Sequence, residues 1–272
     1  MKTRILTAVP LVLIVAAVIW WAPKWLFLLI LLTVVEISLY EYFCVSQAAG
    51  FRGVRWLGYL GAAAFCLAQT TGASSVSNVT LVVLLASVFL ATTLPLFRSS
   101  NLKEYFGAAA STVLGILYVG FTLSWLFPLR FSFGHDGRAA VLFLVLVNWA
   151  GDAVALFVGR AVGRRALVPS ISPRKTVEGA LGGLLGSVVV GWACSLWFWK
   201  TPGMKTVILL ALMLAVVGQV GDLAESAMKR SADLKDSGGL LPGHGGLLDR
   251  IDSLIFAVPA LWLALRLLGL GK

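Results

Sequence analysis

The chain has 272 residues, of which 59% are hydrophobic and only 12% charged, and its mean hydropathy is +0.93. That balance excludes a soluble globular domain and describes a polytopic helical membrane protein. A net charge of +10 would point to nucleic acid in a soluble protein. Here the bias of basic loops toward one membrane side, and their attraction to anionic lipid, account for it, so no nucleic-acid partner is expected.

The expected fold class is all-α, an integral membrane bundle of about nine transmembrane helices. A hydrocarbon core of about 30 Å takes roughly 20 apolar residues as a helix. Backbone groups cannot stay unpaired in lipid, and the long unbroken apolar runs do not show the alternation of a β-barrel. Run length places the spans near 5–21, 25–42, 56–70, 78–97, 106–127, 139–158, 179–199, 204–225 and 251–268. The third is short. The first has the look of a signal peptide, with Lys2 and Arg4 ahead of an apolar core, but no small-residue cleavage site follows. It is read as an uncleaved helix. Residues 1–138 form an N-terminal group of helices and 139–272 a catalytic region with two polar loops. There is no convincing internal repeat.

With the N-terminus inside, 15 of the 22 Lys and Arg fall on the cytoplasmic side. That side also holds the loops near 159–178 and 226–250. The three cysteines, Cys44, Cys66 and Cys194, are far apart and read as small apolar residues.

The chemistry gathers in the second half. Asp222 and Glu225 are three apart at a span end, so they share a helix face, which Ser226 and Lys229 continue. Asp249 and Asp252 are three apart at the start of the next span. If the two helices are neighbours, two pairs of carboxylates meet, and a hard cation such as magnesium would relieve their repulsion. Ion pairing with Lys229, Arg230 and Arg250 is the simpler account. Between the helices lies GGLLPGHGG, 238–246, where glycines let backbone N–H groups approach an anion. Lys229, Arg230, Lys235 and Arg250 surround it with positive charge. His244 could reach a phosphate or a carboxylate, or simply stand in solvent.

The other loop reads SISPRKTVEGALGG, 170–183. Ser172 and Pro173 suggest a turn, and Ser172 or Thr176 a helix cap. Arg174 and Lys175 fall near that helix N-terminus, where phosphate is favoured; anchoring by positive charge is the alternative. Asn148 and Asp152 share one face of the sixth span. An unpaired acid in an apolar stretch is costly, so Asp152 should face the bundle, as should Glu36. Apart from Glu36 and Glu41 the first half is chemically quiet.

These residues resemble the phosphatidate cytidylyltransferases (CDP-diacylglycerol synthases). The C-terminal motif is carried by Ser226, Met228-Lys229-Arg230, Lys235-Asp236, Gly238, Pro242, His244-Gly245-Gly246 and Asp249-Arg250-Ile251-Asp252. Asp152, with Ser172-Pro173-Arg174-Lys175-Thr176 and Glu178-Gly179, resembles a second block, in which Arg174 stands where lysine is common. The resemblance covers about 148–265. It implies magnesium-dependent conversion of CTP and phosphatidic acid to CDP-diacylglycerol and pyrophosphate, in a homodimer in the cell (inner) membrane with its site facing the cytoplasm. Asp222 and Asp249 would be the metal ligands, and potassium is admitted as a second cation. The catalytic set would be Asp222, Lys229, Lys235, Asp236, His244, Asp249, Arg250 and Asp252. Phosphate would be bound by Ser172, Arg174, Lys175, Thr176, Ser226, Arg230, Gly245 and Gly246. The rival readings are a CTP-dependent polyprenol or phytol kinase and an ion or phosphate transporter. The gathering of the acids toward one membrane face argues against a transporter.

Overall fold

A computed structural model describes residues 2–71, 78–98, 102–239 and 245–270, with side chains from residue 12 onward and excluding that of residue 98. Among the described residues the chain forms nine helices and one two-stranded sheet. The helices are α1 (Lys2–Trp21), α2 (Lys24–Ala48), α3 (Arg55–Ala68), α4 (Asn78–Arg98), α5 (Leu102–Phe131), α6 (Gly134–Val162), α7 (Val177–Trp197), α8 (Met204–Ser231) and α9 (Leu248–Leu267). Each apolar run read from the sequence falls on one helix. Six of the helices (α2, α4, α5, α6, α7 and α8) are long and apolar enough to cross a membrane. At about 1.5 Å per residue, the 14-residue α3 is too short to span alone. α9 is long enough but carries Asp249, Arg250 and Asp252 in its first turns. The protein is an all-α polytopic membrane protein.

Three boundaries differ from the sequence reading. α8 does not stop near 225 but runs through Glu225, Ser226 and Lys229 to Ser231. The polar stretch near 170 is not a simple turn and cap. It is a hairpin of β1 (Ala166–Val168) and β2 (Ser172–Thr176), antiparallel, with Ala166 opposite Thr176 and Val168 opposite Ser172. Ser172 and Pro173 therefore lie on a strand, and Thr176 alone caps α7, its Oγ1 accepting from Gly179 N at 3.1 Å. α5 is interrupted by a π-helical turn at Ile116–Phe121.

The helices of the second half pack by close backbone approach. A Cβ at Gly179 would lie 2.8 Å from the Ala155 carbonyl, and one at Gly183 2.9 Å from that of Gly151. Small residues at such crossings let α6 and α7 meet almost backbone to backbone. α9 is the seam of the molecule. Its Leu248 and Ile255 join a core with Leu39, Phe43 and Val119 of the first half. Its Leu254, Val258 and Leu261 join Leu144, Val147 and Leu214 of the second. The outer faces keep large apolar side chains exposed, among them Leu85, Phe89, Leu185 and Leu209, as lipid contact requires.

Candidate active site

The two polar segments meet. A cavity of about 750 Å³ is lined by Asp152 and Arg160 of α6, Arg174, Lys175 and Thr176 of β2, Gly179 of α7, and Gln219 and Asp222 of α8. The hairpin carries the cations into place. Val177 N donates to Arg165 O at 2.9 Å, and Glu178 accepts from Arg164 N and Arg165 N at 3.0 and 3.2 Å. Its base is thereby fixed on the first turn of α7. Lys175 Nζ reaches Asp222 Oδ2 at 2.5 Å, with both side chains about 30% exposed (28% and 30%). Arg174 is exposed at the same cavity. Ser226 Oγ is 3.5 Å from Asp222 Oδ1, and Ser253 Oγ donates to Asp152 Oδ2 at 3.4 Å. Asp252 lies within electrostatic reach of Asp222, Glu225 and Asp152. The carboxylates predicted to converge from α8 and α9 do converge, and Asp152 of α6 joins them.

One turn further along α8 the charges are closed off. Lys229 Nζ bridges Glu225 Oε2 and Asp249 Oδ1, each at 2.5 Å. Asp249 also accepts from Ser237 N at 3.0 Å and Gly246 N at 2.8 Å. Gly245 makes this possible: its φ is +80°, and a side chain there would press on Asp249 Oδ2. Glu41, on α2, completes the arrangement. It is buried and accepts from Ser237 Oγ at 3.1 Å and from Leu247 N and Leu248 N at 3.0 and 2.7 Å. An acid from the first half thus caps α9, as the positive end of a helix favours.

Other residues named from the sequence take different places. Arg230 donates to the carbonyls of Ile171 and Leu234 at 3.2 and 2.6 Å, tying the hairpin turn to the end of α8. Lys235 and Asp236 are exposed, with Asp236 beside Gly245. Ser172 is half-buried on β2, and Arg250 is exposed on the first turn of α9. His244 lies outside the described residues, as does Pro242.

Three contributors were missed. Glu41 was seen only as an acid in an apolar run, although burial of a carboxylate is itself a sign of a partner. Gln219 lines the cavity and donates to Ala180 O at 3.0 Å. Tyr118 stands on the π turn with its hydroxyl buried, unbonded among the described residues, and within electrostatic reach of Glu225, Asp252 and Asp222. Single π turns inside helices are frequent at functional sites, but sequence periodicity does not announce them.

The donors suit a hard cation in kind: they are carboxylate oxygens, and one of them, Glu225 Oε1, is buried without a hydrogen bond among the described residues. As placed, however, no three His, Cys, Asp or Glu among the described residues stand together closely enough to hold a metal. Asp222 is engaged by Lys175 and Asp249 by Lys229.

Membrane-crossing helices with an acid and cation cleft at one end of the bundle define an integral membrane protein built around a polar site. The chain belongs to the cytidylyltransferase family, whose model matches residues 2–268. It is similar to phosphatidate cytidylyltransferases. That of Bacillus subtilis is 41% identical over 154 residues, covering 57% of each chain. That of Staphylococcus saprophyticus is 37% identical over 202 residues, covering 74% of this chain and 75% of the relative. That of Brucella abortus is 45% identical over 151 residues, 55% of this chain and 54% of the relative.

Proposed function

We propose that the protein is a nucleotidyltransferase that converts CTP and phosphatidic acid to CDP-diacylglycerol and pyrophosphate. An oxygen of the lipid phosphate attacks the α-phosphorus of CTP. The new P–O bond forms as the bond to the bridging oxygen of the β-phosphate breaks, and that electron pair leaves on pyrophosphate. No protein nucleophile is needed. The burden is electrostatic, because two polyanions must be brought together and the leaving charge stabilised. The observation that carries this reading is the pairing of Lys175 with Asp222 at a cavity that also holds Arg174 and Arg160. Cations at a roomy cleft beside apolar helix faces suit a phosphate on a lipid.

Arg174 and Lys175 would grip phosphates, and Asp152, Asp222 and Asp252 would counter their charge between turnovers. Asp222 and Asp249 would hold Mg2+, with K+ as a second cation, once their lysines turn to substrate phosphate. When bound, the divalent ion would screen the approaching phosphates and the departing pyrophosphate. Asp249, fixed by Ser237 N and Gly246 N, keeps the N-terminus of α9 in register with α8. Lys235 and Asp236 of the connecting loop and Arg250 of α9 would contact the nucleotide, as His244 is expected to from the sequence. The site would face the cytoplasm, since both basic polar segments lie at one end, and the protein would act in the cell membrane as a homodimer.

The test is the product. Purified protein given CTP and phosphatidic acid should release pyrophosphate with each lipid converted. Release of CDP with phosphate passed to a lipid alcohol would mark a lipid kinase instead.

A further inference from the structure

A second cavity, of about 570 Å³, lies in the first half of the molecule. Arg52 and Arg55 line it together with Trp56, Tyr59, Pro95 and Glu104. None of these takes part in the reaction described above. The backbone that carries the arginines is held firmly. Phe51 N donates to Ser46 O at 2.9 Å, Ser46 Oγ donates to Phe51 O at 3.0 Å, and Val54 N donates to Thr112 Oγ1 at 2.8 Å. A Cβ at Gly53 would meet Phe43 and Ser111, both at 2.9 Å. The guanidiniums are set out from a fixed loop, not from a loose one.

Their charge is not consumed. Neither Arg52 nor Arg55 takes part in an ion pair among the described residues. Arg55 bonds the neutral Gln47 side chain. Glu104 shares the cavity without pairing to either arginine among the described residues, which leaves the pocket with a net positive charge.

The position says what could enter. α2 carries Glu41, which is bonded to Ser237, Leu247 and Leu248 beside the active site. From Glu41 the helix continues to Ala48, and the arginines follow directly. The cavity therefore lies toward the same end of the bundle as the catalytic cleft. Trp56 lines it and is 46% exposed, and Phe51, beside Arg52, is 51% exposed. Aromatic side chains beside cations are typical of the headgroup level of a membrane. We propose that this pocket binds an anionic glycerophospholipid of the surrounding bilayer, with its phosphate between Arg52 and Arg55 and its acyl chains against the exposed aromatic rim. Free phosphate would gain the charge contact but not the rim.

Native mass spectrometry of the full-length protein in detergent, titrated with phosphatidylglycerol, tests this without reference to catalysis. Replacing both arginines (Arg52→Gln with Arg55→Gln) should weaken binding by about tenfold or more, as loss of charge-assisted contacts requires. Glu104→Gln should tighten it, a gain that misfolding cannot imitate. If the double variant does not fold, Arg52→Gln alone, at an exposed side chain, should still weaken binding. Lys175→Met, in the catalytic cleft, should leave it unchanged. The proposal is overturned if phosphatidylcholine binds equally well, if inorganic phosphate displaces the lipid, or if the arginine variants bind phosphatidylglycerol as the native protein does. Loss of binding in Lys175→Met, or no tightening in Glu104→Gln, would also overturn it.

Discussion

Two lysine–carboxylate groups sit one helical turn apart on the face of α8, and they are built differently. Lys175 and Asp222 form a simple pair, about 30% exposed (28% and 30%), on the wall of a cavity. Lys229 lies between two carboxylates, Glu225 and Asp249, whose side chains are only 1% and 9% exposed. Backbone N–H groups take up the rest of Asp249. The open pair can exchange partners with a substrate at little cost. The closed group can release its lysine only to another cation, since otherwise a charge is left stranded in a poor solvent. Similar residue types thus serve different ends, and burial decides which.

The largest expected effect is in the closed group. Lys229→Met should strand two buried carboxylates and lower stability by about 3–5 kcal/mol, read as loss of the folded peak in detergent or a steep fall in Tm. Glu41→Gln should cost less, about 1–3 kcal/mol, because it sets an amide donor against backbone N–H donors. Retention of native Tm by either variant would mean that the closed group is not structural. At the open pair the order reverses. Lys175→Met should keep the native Tm and lose about tenfold or more in kcat/KM, the worth of a charge-assisted contact. Arg165→Met should be the smallest effect, within about twofold in kcat/KM, since surface charges contribute little. Equal losses from Lys175→Met and Arg165→Met would erase the distinction between gripping and anchoring cations.

Much of this was legible in the sequence because lipid makes a simple demand. Long apolar runs had to be helices, and each falls on a helix among the described residues, six of which are long and apolar enough to cross a membrane. The acids three apart at the ends of α8 and α9 were also legible, since helical spacing fixes their face. What escaped depended on contacts distant in sequence. Ser226 and Lys229 were legible on the face of Asp222 and Glu225, but the span was ended near 225; α8 runs on to Ser231 because cross-helix partners, above all Asp249, remove the cost of burying Lys229. The segment from Ser172 to Thr176 has no strand pattern of its own and pairs only because Ala166–Val168 lies opposite. Glu41 could be seen as an oddity but not as the cap of a helix some 200 residues away. Tyr118 was invisible, because a π turn shifts one residue around the helix axis without changing the apolar pattern that marks the span.

The central claim is that the open pair on the cavity is where cytidylyl transfer takes place. Its most direct test is CTP labelled at the α-phosphate, incubated with phosphatidic acid and either native protein or Asp222→Asn, with Tm measured on the same samples. The account expects label in the lipid with native protein, essentially none with Asp222→Asn, and equal Tm values. Near-native transfer of label by Asp222→Asn at saturating magnesium would contradict it.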